Sequence, residues 1–167
     1  MGQGHKTAYL NGRKFHYGPG DYLVLGVPLP LECEAFSEDN QAMIGMVIDV
    51  EPQKLMLLVS QLNKHRNNTV NSLAPECGLI ADKMAQTTLQ TCDRLLQALL
   101  DDTEAEVLGD QLVTELIYRI LVSPKGQVLF DLAKQDSHYA RIAKALTLVH
   151  QDYSKPLTVD NLAERAN

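Results

Sequence analysis

The sequence predicts an α+β fold in which short strands come first and helices follow. Three observations lead there. Period-two patterning fills the first fifty residues and includes Asn11-Gly12, the strongest short hairpin signal. After Glu51-Pro52 the apolar period lengthens toward 3.6. From there to the end, leucine-rich stripes alternate with capping and breaking residues. Short strands joined by tight turns favour a small barrel or sandwich over an open sheet.

Residues 6–10 and 13–17 flank Asn11-Gly12 and predict a hairpin, because both central residues of its turn need positive φ. Gly18-Pro19-Gly20 breaks the chain before a third strand over 21–25, and Gly26 to Pro30 turns it. Residues 31–36 read as a fourth strand. Residues 41–49, mostly apolar, read as a fifth covered on both faces, with Gly45 marking a bulge or a close approach. Pro52 suits a helix start, and Leu55, Leu58, Val59 and Leu62 form its face. The Asn-rich residues 64–75 read as a loop and 77–80 as one short strand.

Asp82 is expected to cap a long helix carrying Leu89, Cys92, Leu95, Leu96, Leu99 and Leu100. Thr103, with Glu106 three residues on, is expected to cap the next, which runs to Val122 and is stopped by Ser123-Pro124. The two form an antiparallel hairpin. In the second, Leu112/Leu116/Ile120 and Val113/Ile117/Leu121 are neighbouring rows, so either one covers the strands while the other meets a partner chain, or both are buried within one chain. A short helix over 125–134 follows. Asp136-Ser137 opens another, with Ile142, Ala145, Leu146 and Val149, which Lys155-Pro156 ends. Thr158 caps a last helix holding Leu162.

With 167 residues, 45% of them apolar, the chain can build a core for one domain and a fragment of another. Its net charge of −6 argues against free-standing nucleic-acid binding, which needs a basic patch. Cys33, Cys77 and Cys92 are odd in number and scattered, which suits a reducing, cytoplasmic setting. Neither a membrane span nor a signal peptide is expected.

Chemical motifs are sparse, and no catalytic residue, cofactor or metal is expected. His5, His16, His65, His138 and His150 include no pair at metal-ligand spacing. His16 near Glu32 and Glu34 is the one metal alternative, read otherwise as a solvated imidazole. A strand sends Glu32 and Glu34 to one face and Cys33 to the other, so Cys33 is expected to be a small core residue. Gly18-Pro19-Gly20 lacks the following helix of a phosphate cradle. Asp101, Asp102, Glu104 and Glu106 read as an acidic helix start, not a calcium loop.

The C-terminal stretch is the most specific. Tyr153, Pro156, Leu157, Thr158, Leu162, Ala163 and Ala166 form a Tyr-x-x-Pro-Leu-Thr-x-x-x-Leu-Ala pattern. It resembles the start of the DNA-binding domain of AraC/XylS-type transcriptional regulators. Upstream, Gln3-Gly4-His5-Lys6, Tyr17-Gly18-Pro19-Gly20-Asp21-Tyr22-Leu23, Leu29-Pro30, Glu115 to Leu121, Pro124-Lys125-Gly126 and Asp136-Ser137-His138 resemble the regulatory N-terminal domain of one branch of that family.

The resemblance implies a cupin-like β-barrel followed by dimerising helices over 1–135, and over 136–167 the truncated beginning of a helix-turn-helix domain. It further implies a homodimer, a small-molecule effector, and operator DNA as a partner of the full-length protein only. The recognition helix, which would read bases, is not in this sequence. Charge divides accordingly: Arg141, Lys144, Lys155 and Arg165 balance Asp136, Asp152, Asp160 and Glu164, so the excess negative charge falls in 1–135. Both ends are expected to be truncations. A catalytic cupin would need a second His beside His16, so a metal-dependent cupin enzyme is the alternative to a sensor, and a constitutive dimerisation module without ligand is a third reading.

Apolar barrel walls predict a mostly apolar effector, with Tyr22, Val24, Ile44, Met46 and Ile48 as lining candidates. Leu95, Leu99, Leu112, Leu116 and Ile120 are the dimer candidates.

Overall fold

A computed structural model describes residues 2–26, 31–37, 41–65, 79–133, 141, 145–146, 148–149 and 157–166. Residues 66–75 of the predicted loop, Cys77 and most of the predicted helix over 136–153 lie outside the described residues, whereas Lys64 and His65, read as loop, end a helix. The architecture is α+β, with antiparallel strands in two small sheets and helices after them.

Strands β1 (His5–Leu10) and β2 (Arg13–Tyr17) form the predicted hairpin. Asn11 at φ +49° and Gly12 at φ +76° supply the two positive angles of its turn. The other edge of β1 pairs antiparallel with β4 (Glu32–Phe36), giving the order β2-β1-β4. Strand β3 (Asp21–Leu25) pairs antiparallel with β5 (Leu79–Lys83) in a separate ribbon. Gly20 at φ +77° and an Asp21 carboxylate accepting from Gly18 N–H, at 3.0 Å, shape the turn into β3.

The helices are α1 (Pro52–His65), α2 (Gln86–Ala98), α3 (Asp102–Leu121), α4 (Gln127–Ala133) and a last helix Val159–Ala166. Two apolar clusters share α3 as their spine. One joins Leu55 and Val59 of α1 to Ile117 and Leu121 of α3 and Leu129 and Phe130 of α4. The other joins Leu95 and Ala98 of α2 to Leu112 and Leu116 of α3. Ala8, Leu10 and Tyr17 of the three-stranded sheet and Leu79 and Ile80 of the ribbon are also buried.

Four expectations need correction. Residues 41–49 form no strand: only Ile44 bridges, to Gln3, and Ile44 and Val47 are exposed. An apolar run mimics a buried strand, but this one lays Met46 and Ile48 onto the α2–α3 cluster instead. Asp82 does not cap α2, because it belongs to β5. Ala85 holds the cap position with no side-chain bond. The cap of α3 is Asp101, whose carboxylate accepts from Glu104 N–H at 2.9 Å, so Thr103 already lies inside the helix. Cys33 is exposed, not a core residue, because β4 is a sheet edge exposed along its whole length. The Thr158 cap stands as read, with its hydroxyl accepting from Asn161 N–H at 3.3 Å.

Candidate functional site

The candidate site is the corner where the β3–β5 ribbon meets the turn between α3 and α4. Ser123 and Pro124 end α3, since Ser123 Oγ donates to Ile120 O at 2.7 Å and proline cannot continue the ladder. The Tyr22 hydroxyl lies 3.3 Å from Ser123 Oγ, a contact in which either oxygen can donate. Burial pushes the Tyr22 phenol above its ordinary value, while the Ser123 contact pulls it partly back. Lys125 reaches the other strand, pairing with Asp82 Oδ1 at 3.5 Å and donating to Ala81 O at 3.4 Å. Val24, two residues from Tyr22, packs against the α1–α3–α4 cluster. Both strands of the ribbon are therefore tied to the same turn.

That turn is tight. Gly126 O accepts from Leu129 N–H and Phe130 N–H at 3.0 and 3.3 Å, so Gly126 caps α4. A side chain there would run into the carbonyl oxygens of Ile120 and Leu121. The end of α3 and the start of α4 thus form one rigid corner. Local patterning does not announce this role: Ser123-Pro124 reads as a helix stop and Lys125 as the start of the short helix after it.

A polar network crosses the α2–α3 hairpin. The buried Thr91 lies 2.9 Å from Glu115 Oε1, and Arg119 Nε donates to Thr91 Oγ1 at 3.0 Å and to Glu115 Oε1 at 2.8 Å. Arg94 adds an exposed contact to Glu115 Oε2 at 3.2 Å. The hydrogen bond from Arg119, then those from Thr91 and the nearby Arg94 charge, hold the Glu115 carboxyl below its ordinary value of 4.5. A lowered folded-state value means stability that is present above the ordinary carboxylate range and lost as pH falls through the folded value. Glu115→Gln should cost about 1 kcal/mol at neutral pH. It should also flatten the acid limb, so that urea midpoints at pH 7 and pH 3 differ less than in the parent chain.

The predicted lining residues do not share one cavity. Tyr22 and Val24 face the α3–α4 corner, Met46 and Ile48 pack on the α2–α3 cluster, and Ile44 stands at the Gln3 bridge. An open depression between α1 and α4 is lined by Met56, Val59, Ser60, Asn63, Lys64 and Ala133, none of them predicted. Of the dimer candidates, Leu95, Leu112 and Leu116 are buried inside the hairpin, and Ile120 packs on the α1–α3–α4 cluster. Leu99 is exposed.

On the outer face of the three-stranded sheet, His16 lies with its ring 4.9 Å from that of His5, and its Nδ1 lies 3.3 Å from Thr7 Oγ1. Glu34 accepts from the Tyr9 hydroxyl at 2.6 Å. Among the described residues, no group of three or more His, Cys, Asp or Glu converges to hold a metal. Nor is any helix among them long and apolar enough to cross a membrane.

No match was found among curated proteins or solved structures. A family model described as the AraC-type transcriptional regulator N-terminus matches residues 1–128, a span that includes both sheets, the hairpin and the α3–α4 corner. The chain belongs to this family of AraC-type transcriptional regulator N-terminal domains.

Proposed function

We propose that the chain is the effector-sensing and dimerising part of a cytoplasmic AraC-type regulator and that it is not an enzyme. In this reading residues 1–135 sense and dimerise, and 136–167 begin the helix-turn-helix domain. The observation that carries the proposal is the clamp of Tyr22, Asp82 and Ala81 onto Ser123 and Lys125. A ligand that prefers one arrangement of the strands also selects an arrangement of the α3–α4 corner. That corner leads toward the C-terminal segment. A thermal-shift screen is expected to find stabilisation by small, mostly apolar molecules. Stabilisation by metal ions alone would overturn the sensor reading in favour of a metal site at His16.

Dimerisation is assigned to a different row from the sequence-predicted leucines. Val107, Tyr118 and Val122 are exposed and recur along one side of α3, with exposed Gln111 among them. The N-terminal half of this helix carries Asp102, Glu104 and Glu106, while Arg119 lies in its last turn and Lys125 in the turn beyond it. An antiparallel two-fold pairing centred between Thr114 and Glu115 sets Val107 opposite the partner's Val122 and Gln111 opposite the partner's Tyr118. It also brings each acidic end toward the partner's basic one.

Sedimentation equilibrium checks this. Val107→Asp and Val122→Lys should each weaken the dimer at least about tenfold, roughly 1.4 kcal/mol. Both in one chain should restore much of it, since each new carboxylate then meets a new ammonium. A parent chain that stays monomeric at micromolar concentration would overturn the dimer.

A further inference from the structure

The α2–α3 hairpin carries a second apolar side that the described residues cover only in part. Cys92 and Leu96 of α2, then Leu99 and Leu100 just past its end, lead toward the tip of the hairpin. Cys92 joins Met46 and Ile48 in the hairpin cluster, but toward the tip Leu96, Leu99 and Leu100 are 48%, 56% and 88% exposed. The hairpin register sets Thr91 opposite Glu115 and Arg119, and Ala98 packs in the cluster with Leu112. Leu99 therefore stands about level with Gly109 of α3. Gly109 is buried, yet a Cβ built on it would meet no heavy atom within 4 Å. The tip thus holds a slot with leucines on the α2 side and bare backbone on the α3 side.

Charge says what fits there. Asp102 and Glu106 precede Gly109 on the same side of α3, at helical spacing. From Leu95 to Tyr118 the chain holds no Lys, Arg or His. A second copy docking here by two-fold symmetry would offer Asp102 and Glu106 only this same stretch, acidic and without a base to pair with them, so like charge opposes it. A basic segment meets no such opposition. We propose that this side of the hairpin docks a basic amphipathic helix, which inserts an apolar side chain over Gly109 and extends Lys or Arg heads to Asp102 and Glu106. The surface lies on the opposite side of α3 from Val107, Tyr118 and Val122, so both partners can be held at once.

The test titrates the isotope-labelled full chain with a synthetic helical peptide bearing Leu on one face and Lys on the other, and with its Glu counterpart. The Lys peptide should move the amide resonances of Leu96, Leu99, Leu100 and Gly109, and its affinity should fall at least about fivefold between 50 and 300 mM salt. Asp102→Asn with Glu106→Gln should weaken it about five- to tenfold, and Gly109→Leu, by filling the slot, should abolish it. Leu100→Ser is the milder variant should Gly109→Leu disturb the helix. Equal binding of the Glu peptide, shifts elsewhere or no binding would overturn the proposal. So would a dimer that Leu99→Glu converts to monomer, since that gives the face to a second copy. Failure of the Val107 and Val122 pairing leaves these outcomes unaffected, so the two readings fail separately.

Discussion

Gly126→Ala is expected to destabilise the chain by about 2–4 kcal/mol, with the loss centred on the α3–α4 corner. The cause is steric, not conformational. An added Cβ would stand well under 3.0 Å from the carbonyl oxygens of both Ile120 and Leu121, a contact that side chains do not tolerate. Those oxygens cannot retreat freely. Ile120 O accepts from Ser123 Oγ and Ser123 N–H, and Leu121 itself is only 1% exposed. Relief must come from moving Gly126, which would pull its carbonyl off Leu129 and Phe130 and uncap α4.

In a chain of this size about 2–4 °C of melting temperature goes with each kcal/mol, so a drop of roughly 5–15 °C is expected. Two other glycines calibrate the result. Gly12→Ala meets nothing within 4 Å but sits at φ +76°, so it should cost about 1–2 kcal/mol. Gly109→Ala has open space and ordinary helical φ, so it should gain about 0.5–1 kcal/mol. Calorimetry on the three variants separates the mechanisms. Equal losses at all three would show that the corner is not the tight contact described.

The glycine contrast also shows why some features were legible in the sequence and others were not. The β1–β2 turn was readable because Asn11-Gly12 encodes its own geometry within two residues. Helices α1 and α3 were readable because apolar spacing repeats over several turns, and Thr158 because a cap acts three residues away. Gly126 falls inside the predicted helix over 125–134 and nothing local marks it, since what makes it obligatory is the end of α3 folding back on it. Cys33 misled because alternation along a strand tells which residues share a face but not whether that face is covered. Leu95, Leu112 and Leu116 misled in the other direction: an apolar row marks burial, and the hairpin itself supplied that burial. Residues 41–49 combined both errors, with apolar content but no partner strand beyond the single bridge at Ile44. The ties from Tyr22 to Ser123 and from Lys125 to Asp82 join residues far apart in the chain, and local patterning holds no record of them.

Leu55→Ala is expected to cost about 2–5 kcal/mol and to loosen α1 from the rest of the helical layer. Leu55 is fully buried, and its cluster draws on three helices: Val59 beside it on α1, Ile117 and Leu121 on α3, Leu129 and Phe130 on α4. Truncation removes the transfer energy of its methyl groups and leaves a void. The spine α3 cannot collapse into that void, because its other side is already committed to Leu95 and Ala98 of α2. The upper half of the range is therefore expected. Leu55→Met, which keeps volume, should cost less than about 1.5 kcal/mol.

The location of the damage distinguishes this from a general loss. Lys54, next to Leu55, pairs with the exposed Asp110 of α3, a surface ion pair worth no more than about 1 kcal/mol and too weak to hold α1 alone. Hydrogen exchange in Leu55→Ala should rise over α1 and α4 before it rises over α2 and the first turns of α3, whose own cluster is intact. If the corner relays strand geometry to the C-terminal segment, the same variant should blunt the stabilisation given by any ligand found in the thermal-shift screen, because α4 is then no longer held against α3. Uniform exchange across all four helices would instead mean that the two clusters unfold as one unit, and the relay would lose its separable output element.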